Sequence, residues 1–311
     1  MDKQILIAVD GSRASDRALD YLGLIGGRLV KDLKVTVLYV MNPIPPFMRR
    51  EAAHDTDTFR RVREMESKAR KKAQEVLDLA RKRLLGHGMP EDFIETKAAV
   101  RTSDAARDIL FEGEHGLYDA LVLGRRGLSK TQELFIGSTT NTIVQHAERL
   151  PVWVVGGEVK SARVLCAVDG SEGALRAVDH VGYMLAGNPE VTVTLFHVGA
   201  SLANYCPLDF NQDPDQEIEG DLMRSDRECM DDFYVRALRV LEDQGFPRGQ
   251  VETQTKSGVM GITKAILDEV KAGGYGTIVL GRRGENRSFF LGHVSDKVLA
   301  RAGEAAVWVV G

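Results

Sequence analysis

The sequence predicts an α/β protein built as two repeated units, each an open, parallel five-stranded sheet with helices on both faces in the doubly wound manner. Three observations carry this. The chain repeats itself in four blocks that return in the same order about 155–159 residues later. Its strand-like segments are short Val/Ile/Leu runs with little alternation, the pattern of strands covered on both faces. Between those runs lie segments whose apolar residues recur at helical spacing, so strand and helix alternate.

The repeat reads directly. Ile5-Leu-Ile-Ala-Val-Asp-Gly-Ser12 returns as Val164-Leu-Cys-Ala-Val-Asp-Gly-Ser171. Val35–Val40 returns as Val193–Val198, and Ala120–Gly127 as Thr277–Gly284. Pro151-Val-Trp-Val-Val-Gly156 returns as Ala306-Val-Trp-Val-Val-Gly311. The expected domains are 1–157 and 162–311, joined by a short polar stretch. In the first unit a helix is expected from Ser12 to about Val30, with Ser12 or Ser15 as its N-cap. A long charged helix follows from about Phe59 to Leu85, its apolar stripe running through Val62, Met65, Ala69, Ala73, Val76, Leu77, Ala80 and Leu84 and ending in Gly86–Pro90. Ser103 to about Phe111 reads as the third helix, capped by Ser103 or Asp104. Thr139 to about Glu148 reads as the fourth, with Ser138 at its cap. The last strand of each unit is an apolar edge that invites pairing. The two are expected to pair with each other as an internal pseudo-dimer, leaving a homodimer of whole chains open. The stretches 42–58 and 199–219 carry prolines and little regular pattern and read as lids or loops.

Composition excludes several classes. A formal net charge of −4 gives no reason to expect a nucleic-acid partner. No apolar run reaches the roughly 18–20 residues that span a bilayer, and the first residues lack a signal-peptide pattern. Three cysteines without CxxC spacing fit reduced thiols in a cytoplasmic protein. No His or Cys cluster has metal-ligand spacing, so no protein metal site is expected, and no GxSxG marks a nucleophile. His197, at a strand end, is read as structural or as touching an adenine edge. The segment around Arg60–Arg83 is basic, and 213–232 of the second unit is acidic. These are two solvated faces, or complementary surfaces between halves or chains.

The informative stretch is Gly124-Arg-Arg-Gly127, nine residues, then Gly137-Ser138, between a strand and a helix start. Glycines let main-chain N–H groups approach a ligand, and a helix N-terminus offers free donors and a partial positive charge to phosphate. The physical reading is a loop that wraps a polyphosphate, with Arg125 and Arg126 divided evenly between phosphate contact and solvated surface. It is not a Walker loop, and no GxGxxG follows the first strand.

The spacing Gly-x2-Gly-x9-Gly-Ser, together with Asp10 closing the first strand, resembles the universal stress protein family in its ATP-binding branch, over both halves of the chain. The resemblance implies a Rossmann-like fold and a site residue by residue. Asp10 would bond the ribose or adenine region, and Ala8 and Val40 would line the adenine pocket. Leu123 and Gly124 would flank base and ribose. Gly127, Gly137, Ser138 and Thr139 would contact the phosphates. Mg²⁺ would accompany the ATP, held by phosphate oxygens and water. The second unit keeps Ala167, Asp169, Val198, Leu280, Gly281 and Gly284. There, however, only seven residues separate Gly284 from Gly292, and His293 stands where the motif has a hydroxyl. That unit is expected to bind weakly, to take a smaller nucleotide, or to stay empty. The resemblance implies a nucleotide-dependent sensor in stress survival. Slow ATP hydrolysis, a ligand-free scaffold and a hydrophobic-ligand carrier are the alternatives.

Overall fold

The computed structural model describes residues 3–26, 33–125, 136–199, 216–259, 261–282 and 291–311. In the first half the elements are β1 (Lys3–Ala8), α1 (Arg13–Gly26), β2 (Leu33–Met41), α2 (Pro46–Glu51), α3 (Thr56–Gly86), β3 (Ile94–Val100), α4 (Ala105–His115), β4 (Ala120–Gly124), α5 (Ser138–His146) and β5 (Val152–Val155). The second half repeats the order as β6 (Arg163–Val168), α6 (Glu172–Leu185), β7 (Thr192–Val198), α7 (Gln216–Asp243), β8 (Val251–Lys256), α8 (Ile262–Gly273), β9 (Thr277–Gly281), α9 (His293–Arg301) and β10 (Ala306–Val310).

All ten strands join one sheet in the order β3-β2-β1-β4-β5-β10-β9-β6-β7-β8. Within each half every neighbouring pair is parallel, and only β5 and β10 run antiparallel. That junction pairs the two closing strands as their apolar sequence demands, and it removes the edge each would otherwise expose. Successive side chains point to opposite faces. Ile5 and Ile7 therefore pack with α1 and α3, while Leu6 packs with α4 and α5 on the other face. Each face is one apolar cluster that runs through both halves.

The junction is held by aromatic groups. Trp153 and Trp308 stand opposite each other in the register, their rings stacked at 3.8 Å and 1° apart. Each indole is bonded by a helix of the other half. Trp153 Nε1 donates to His180 Nε2 of α6 at 3.1 Å, and Trp308 Nε1 donates to the Tyr21 hydroxyl of α1 at 2.8 Å. The Tyr21 hydroxyl and Thr277 Oγ1 share a further hydrogen bond at 2.8 Å. Burial lowers the His180 pKa to about 3, so the ring is neutral and free to accept from the indole.

Several sequence expectations change in detail. Ser12 is the cap of α1, accepting from the Ser15 N–H at 3.3 Å, whereas Ser15 bonds elsewhere. Asp104, not Ser103, caps α4. The long helix α3 starts earlier than its apolar stripe suggested, because the Asp55 carboxylate caps it by accepting from the Thr58 N–H at 2.7 Å. Of the stretch 42–58 read as irregular, Pro46–Glu51 forms α2, with proline in the first turn where no N–H is needed. The matching stretch 200–215 lies outside the described residues, and α7 begins at Gln216. The basic α3 and the acidic α7 lie on the same face but pack on opposite halves, α3 against β2 and α1, α7 against α6. No ion pair between α3 and α7 occurs among the described residues. No helix among those residues is long and apolar enough to cross a membrane.

Candidate functional site

In a sheet ordered 3-2-1-4-5 the chain leaves β1 and β4 in opposite directions, and a crevice opens beyond their carboxyl ends. A cavity of about 230 Å³ occupies that position in the first half. Eight residues singled out in the sequence line it together: Ala8, Asp10, Val40, Leu123, Gly124, Gly137, Ser138 and Thr139. Gly127 lies outside the described residues, as do Arg126 and, in the second half, Gly284.

Asp10 follows β1 in a tight turn. Gly11 makes that turn at φ 77°, a left-handed conformation that favours glycine. The Asp10 carboxylate accepts the Ser12 N–H at 2.9 Å and the Ser15 hydroxyl at 3.1 Å, both on Oδ1. It therefore forms an Asx turn and leaves the capping of α1 to Ser12. Burial pushes this carboxyl up, but the bonds from Ser12 and Ser15 outweigh it and hold the pKa below the ordinary value. An ionised acceptor thus stands at the mouth of the cavity.

The far wall is the start of α5. The helix takes Gly137 as its N-cap with no side-chain cap bond, and Ser138 is its first helical residue. Ser138 is therefore not the cap, as the sequence had suggested. Its exposed hydroxyl and the first-turn N–H groups sit at the positive end of the helix dipole. Thr140 Oγ1 ties that turn to the Gly124 carbonyl at 3.3 Å.

Gly124 has a reason beyond ligand approach. A Cβ there would lie 2.4 Å from the Ala14 carbonyl carbon, so the glycine admits α1 against the end of β4. Gly281 does the same in the second half, where a Cβ would meet Gly173 at 2.8 Å.

Sequence reasoning missed Ala14, Leu38, Ala105, Ile109 and Thr140 as lining, and Val9, Ser12 and Ser15 complete it. Leu38 and Val40 share one face of β2 by simple alternation, a signal the sequence did contain. Ala105 and Ile109 come from α4, which only the tertiary fold brings near.

Arg125, weighed between phosphate contact and surface, does neither. It is 6% exposed and its Nη2 donates to the Ala300 carbonyl in the other half. Burial lowers its pKa from the ordinary value.

The corresponding ends in the second half are assembled differently. Asp169 accepts the Ser171 N–H at 3.1 Å and the Ser171 hydroxyl at 2.6 Å. Ser171 caps α6 through the Ala174 N–H at 3.1 Å. Ala167, Leu280 and Gly281 keep their register positions at the strand ends, and Val198 is buried. Gly292 is again an N-cap without a side-chain bond, followed by exposed His293. The Gly292 N–H, however, donates to the Arg282 carbonyl at 2.8 Å, so this amide is already engaged.

His197 does not face an adenine site. Along β7 it shares the face of Val193 and Leu195, while Phe196 and Val198 point to the α8 and α9 side. Its Nδ1 lies 2.9 Å from the Val168 carbonyl and its Nε2 3.1 Å from the Asp226 carboxylate of α7. The ring ties α7 to the sheet. Among the described residues no group of three or more His, Cys, Asp or Glu side chains is arranged to hold a metal.

Comparison with known proteins agrees with this architecture. The family model described as the universal stress protein family matches residues 1–156 and again 161–310. No curated protein sequence matches the chain. A universal stress protein from Archaeoglobus fulgidus DSM 4304 superposes over 99% of this chain and 97% of its own, at 22% identity and a TM-score of 0.63. A functionally unknown protein from Pseudomonas aeruginosa PAO1 covers 99% of this chain and 92% of its own, at 15% identity and a TM-score of 0.58. These likenesses show the shared fold.

Proposed function

The chain belongs to the universal stress protein family, and from that premise we propose that its first unit binds ATP while its second unit does not hold a triphosphate. The observation that carries the reading is the cavity itself. It sets an ionised Asp10, an apolar wall of Leu38, Val40 and Ile109, and the uncapped start of α5 around one space. Each part suits one part of the nucleotide. The apolar wall takes the adenine. Both protein bonds to Asp10 use Oδ1, so Oδ2 accepts from the ribose hydroxyls. Phosphates lie against the α5 N–H groups and the Ser138 hydroxyl, where a helix N-terminus favours an anion. Gly127 joins them as the family motif implies.

Mg²⁺ enters with the triphosphate, held by phosphate oxygens and water, since it takes few ligands from protein in such sites. The role that follows is sensing, with nucleotide occupancy shifting a conformational or partner equilibrium. Cys166 and Cys229 are free thiols, which fits a cytoplasmic setting. Mass spectrometry of small molecules released from the purified protein tests the reading. ATP recovered at close to one per chain supports it, and recovery of a lipid or of nothing contradicts it.

A further inference from the structure

The helix that forms the phosphate end of the first cavity is anchored from the other half of the molecule. Arg282 follows β9 directly, and it is 3% exposed. Its guanidinium crosses the β5–β10 junction to the carboxyl end of α5. There Nη1 donates to the Val144 carbonyl at 2.5 Å and the Ala147 carbonyl at 2.9 Å, and Nη2 donates to the Gln145 carbonyl. Val144 and Gln145 belong to the last turn and Ala147 is the C-cap, so these carbonyls have no partner within the helix. A cation at that end also complements the dipole. Arg125 makes the reciprocal reach to the Ala300 carbonyl of α9.

The anchor matters because α5 is only nine residues long and carries no side-chain N-cap. Isolated helices that short are marginal, so outside contacts set where this one sits. The backbone of Arg282 is itself fixed on both sides. Its N–H donates to the Val310 carbonyl at 2.6 Å, and its carbonyl accepts from Gly292 at 2.8 Å.

We propose that Arg282 of the second unit is a positioning residue for the nucleotide site of the first. It holds α5 by its carboxyl end so that the amino end is aimed at the phosphates, and it leaves the adenosine end untouched. The inference rests on the ATP reading given above. It means that the first unit's site is incomplete without the second unit, whatever the second unit itself binds.

The test is isothermal titration of the whole chain with ATP and, separately, with adenosine. Arg282→Met is expected to weaken ATP about tenfold while adenosine stays within twofold. A merely structural role would weaken both ligands alike or neither. Arg282→Lys keeps the charge but not the fork and is expected to fall between, which covers the case in which the Met variant does not fold. Arg163→Met is the control. Arg163 donates to the Gly273 carbonyl at the end of α8, far from the first cavity, and its loss is expected to leave both affinities unchanged. Equal loss of ATP and adenosine binding, or unchanged ATP binding, overturns the proposal. Hydrogen exchange of the α5 amides without ligand separates this outcome from failure of the ATP reading. Faster exchange of 138–146 in Arg282→Met is expected even if the wild type takes up no ATP, and unchanged exchange overturns the anchor.

Discussion

The carboxyl ends of the two half-sheets share a scaffold and differ at the helix starts that face them. In both, an aspartate closes the first strand over a seryl turn and a glycine lets a helix press against the fourth strand. In the first, α5 opens on Gly137 and Ser138 along the cavity wall. In the second, the Gly292 amide is consumed by the Arg282 carbonyl and His293 follows it. The residues flanking a loop two residues shorter are thus bonded to each other. The two halves thus share what holds the fold and differ at the helix start, and substitutions at paired positions test what the difference means.

The largest contrast is expected at the packing glycines. Gly124→Ala places a methyl 2.4 Å from the Ala14 backbone, and Gly281→Ala places one 2.8 Å from Gly173. Overpacking of this kind costs about 1–3 kcal/mol. The first substitution is expected to lie at the upper end and to lower Tm more than the second in a thermal melt. Equal melts would mean that α1 and α6 yield equally.

Next come the aspartates. Asp10→Ala removes a charged acceptor worth about 1.5–3 kcal/mol. ATP affinity is therefore expected to fall roughly tenfold or more, while Asp169→Ala leaves it unchanged.

The third contrast is in the junction, where Tyr21 of one half corresponds to His180 of the other. The folded-state pKa of His180 is about 3, below its ordinary 6.5. The unfolded chain therefore binds the extra proton first, and stability rises with pH in this range. The contribution is full above pH 6.5 and declines as pH falls toward 3, by up to about 1.4 kcal/mol per pH unit. Denaturant titrations at pH 7 and pH 5 are expected to show this loss in the wild type and a smaller one in His180→Gln.

The smallest effect is expected at the helix start. Ser138→Ala removes one neutral donor, about 0.5–1.5 kcal/mol, and should weaken ATP binding several-fold without moving Tm.

Much of this arrangement was legible in the sequence, for a definite reason. Strand ends are where the Val/Ile/Leu runs stop, so Asp10, Val40, Leu123 and Gly124 had to meet at one edge of the sheet once the strands were parallel. The pairing of β5 with β10 likewise followed from two apolar closing strands needing partners, whereas the stacking of Trp153 on Trp308 comes from their register. What escaped depends on side-chain direction and on distance across the fold. The parity of β7 already put His197 with Val193 and Leu195, away from Val198, and the apparent closeness of a strand end concealed it. The long reach of Arg125 and Arg282 had no local signal. Both follow a glycine in a loop that resembles a phosphate cradle, and only the antiparallel junction turns them into anchors for the opposite helix.

The asymmetry between the crevices is tested most directly by isothermal titration of ATP into the intact chain. One site per chain, lost in Asp10→Ala and kept in Asp169→Ala, is the expected result. Two equivalent sites, or binding that survives Asp10→Ala and fails in Asp169→Ala, would contradict it.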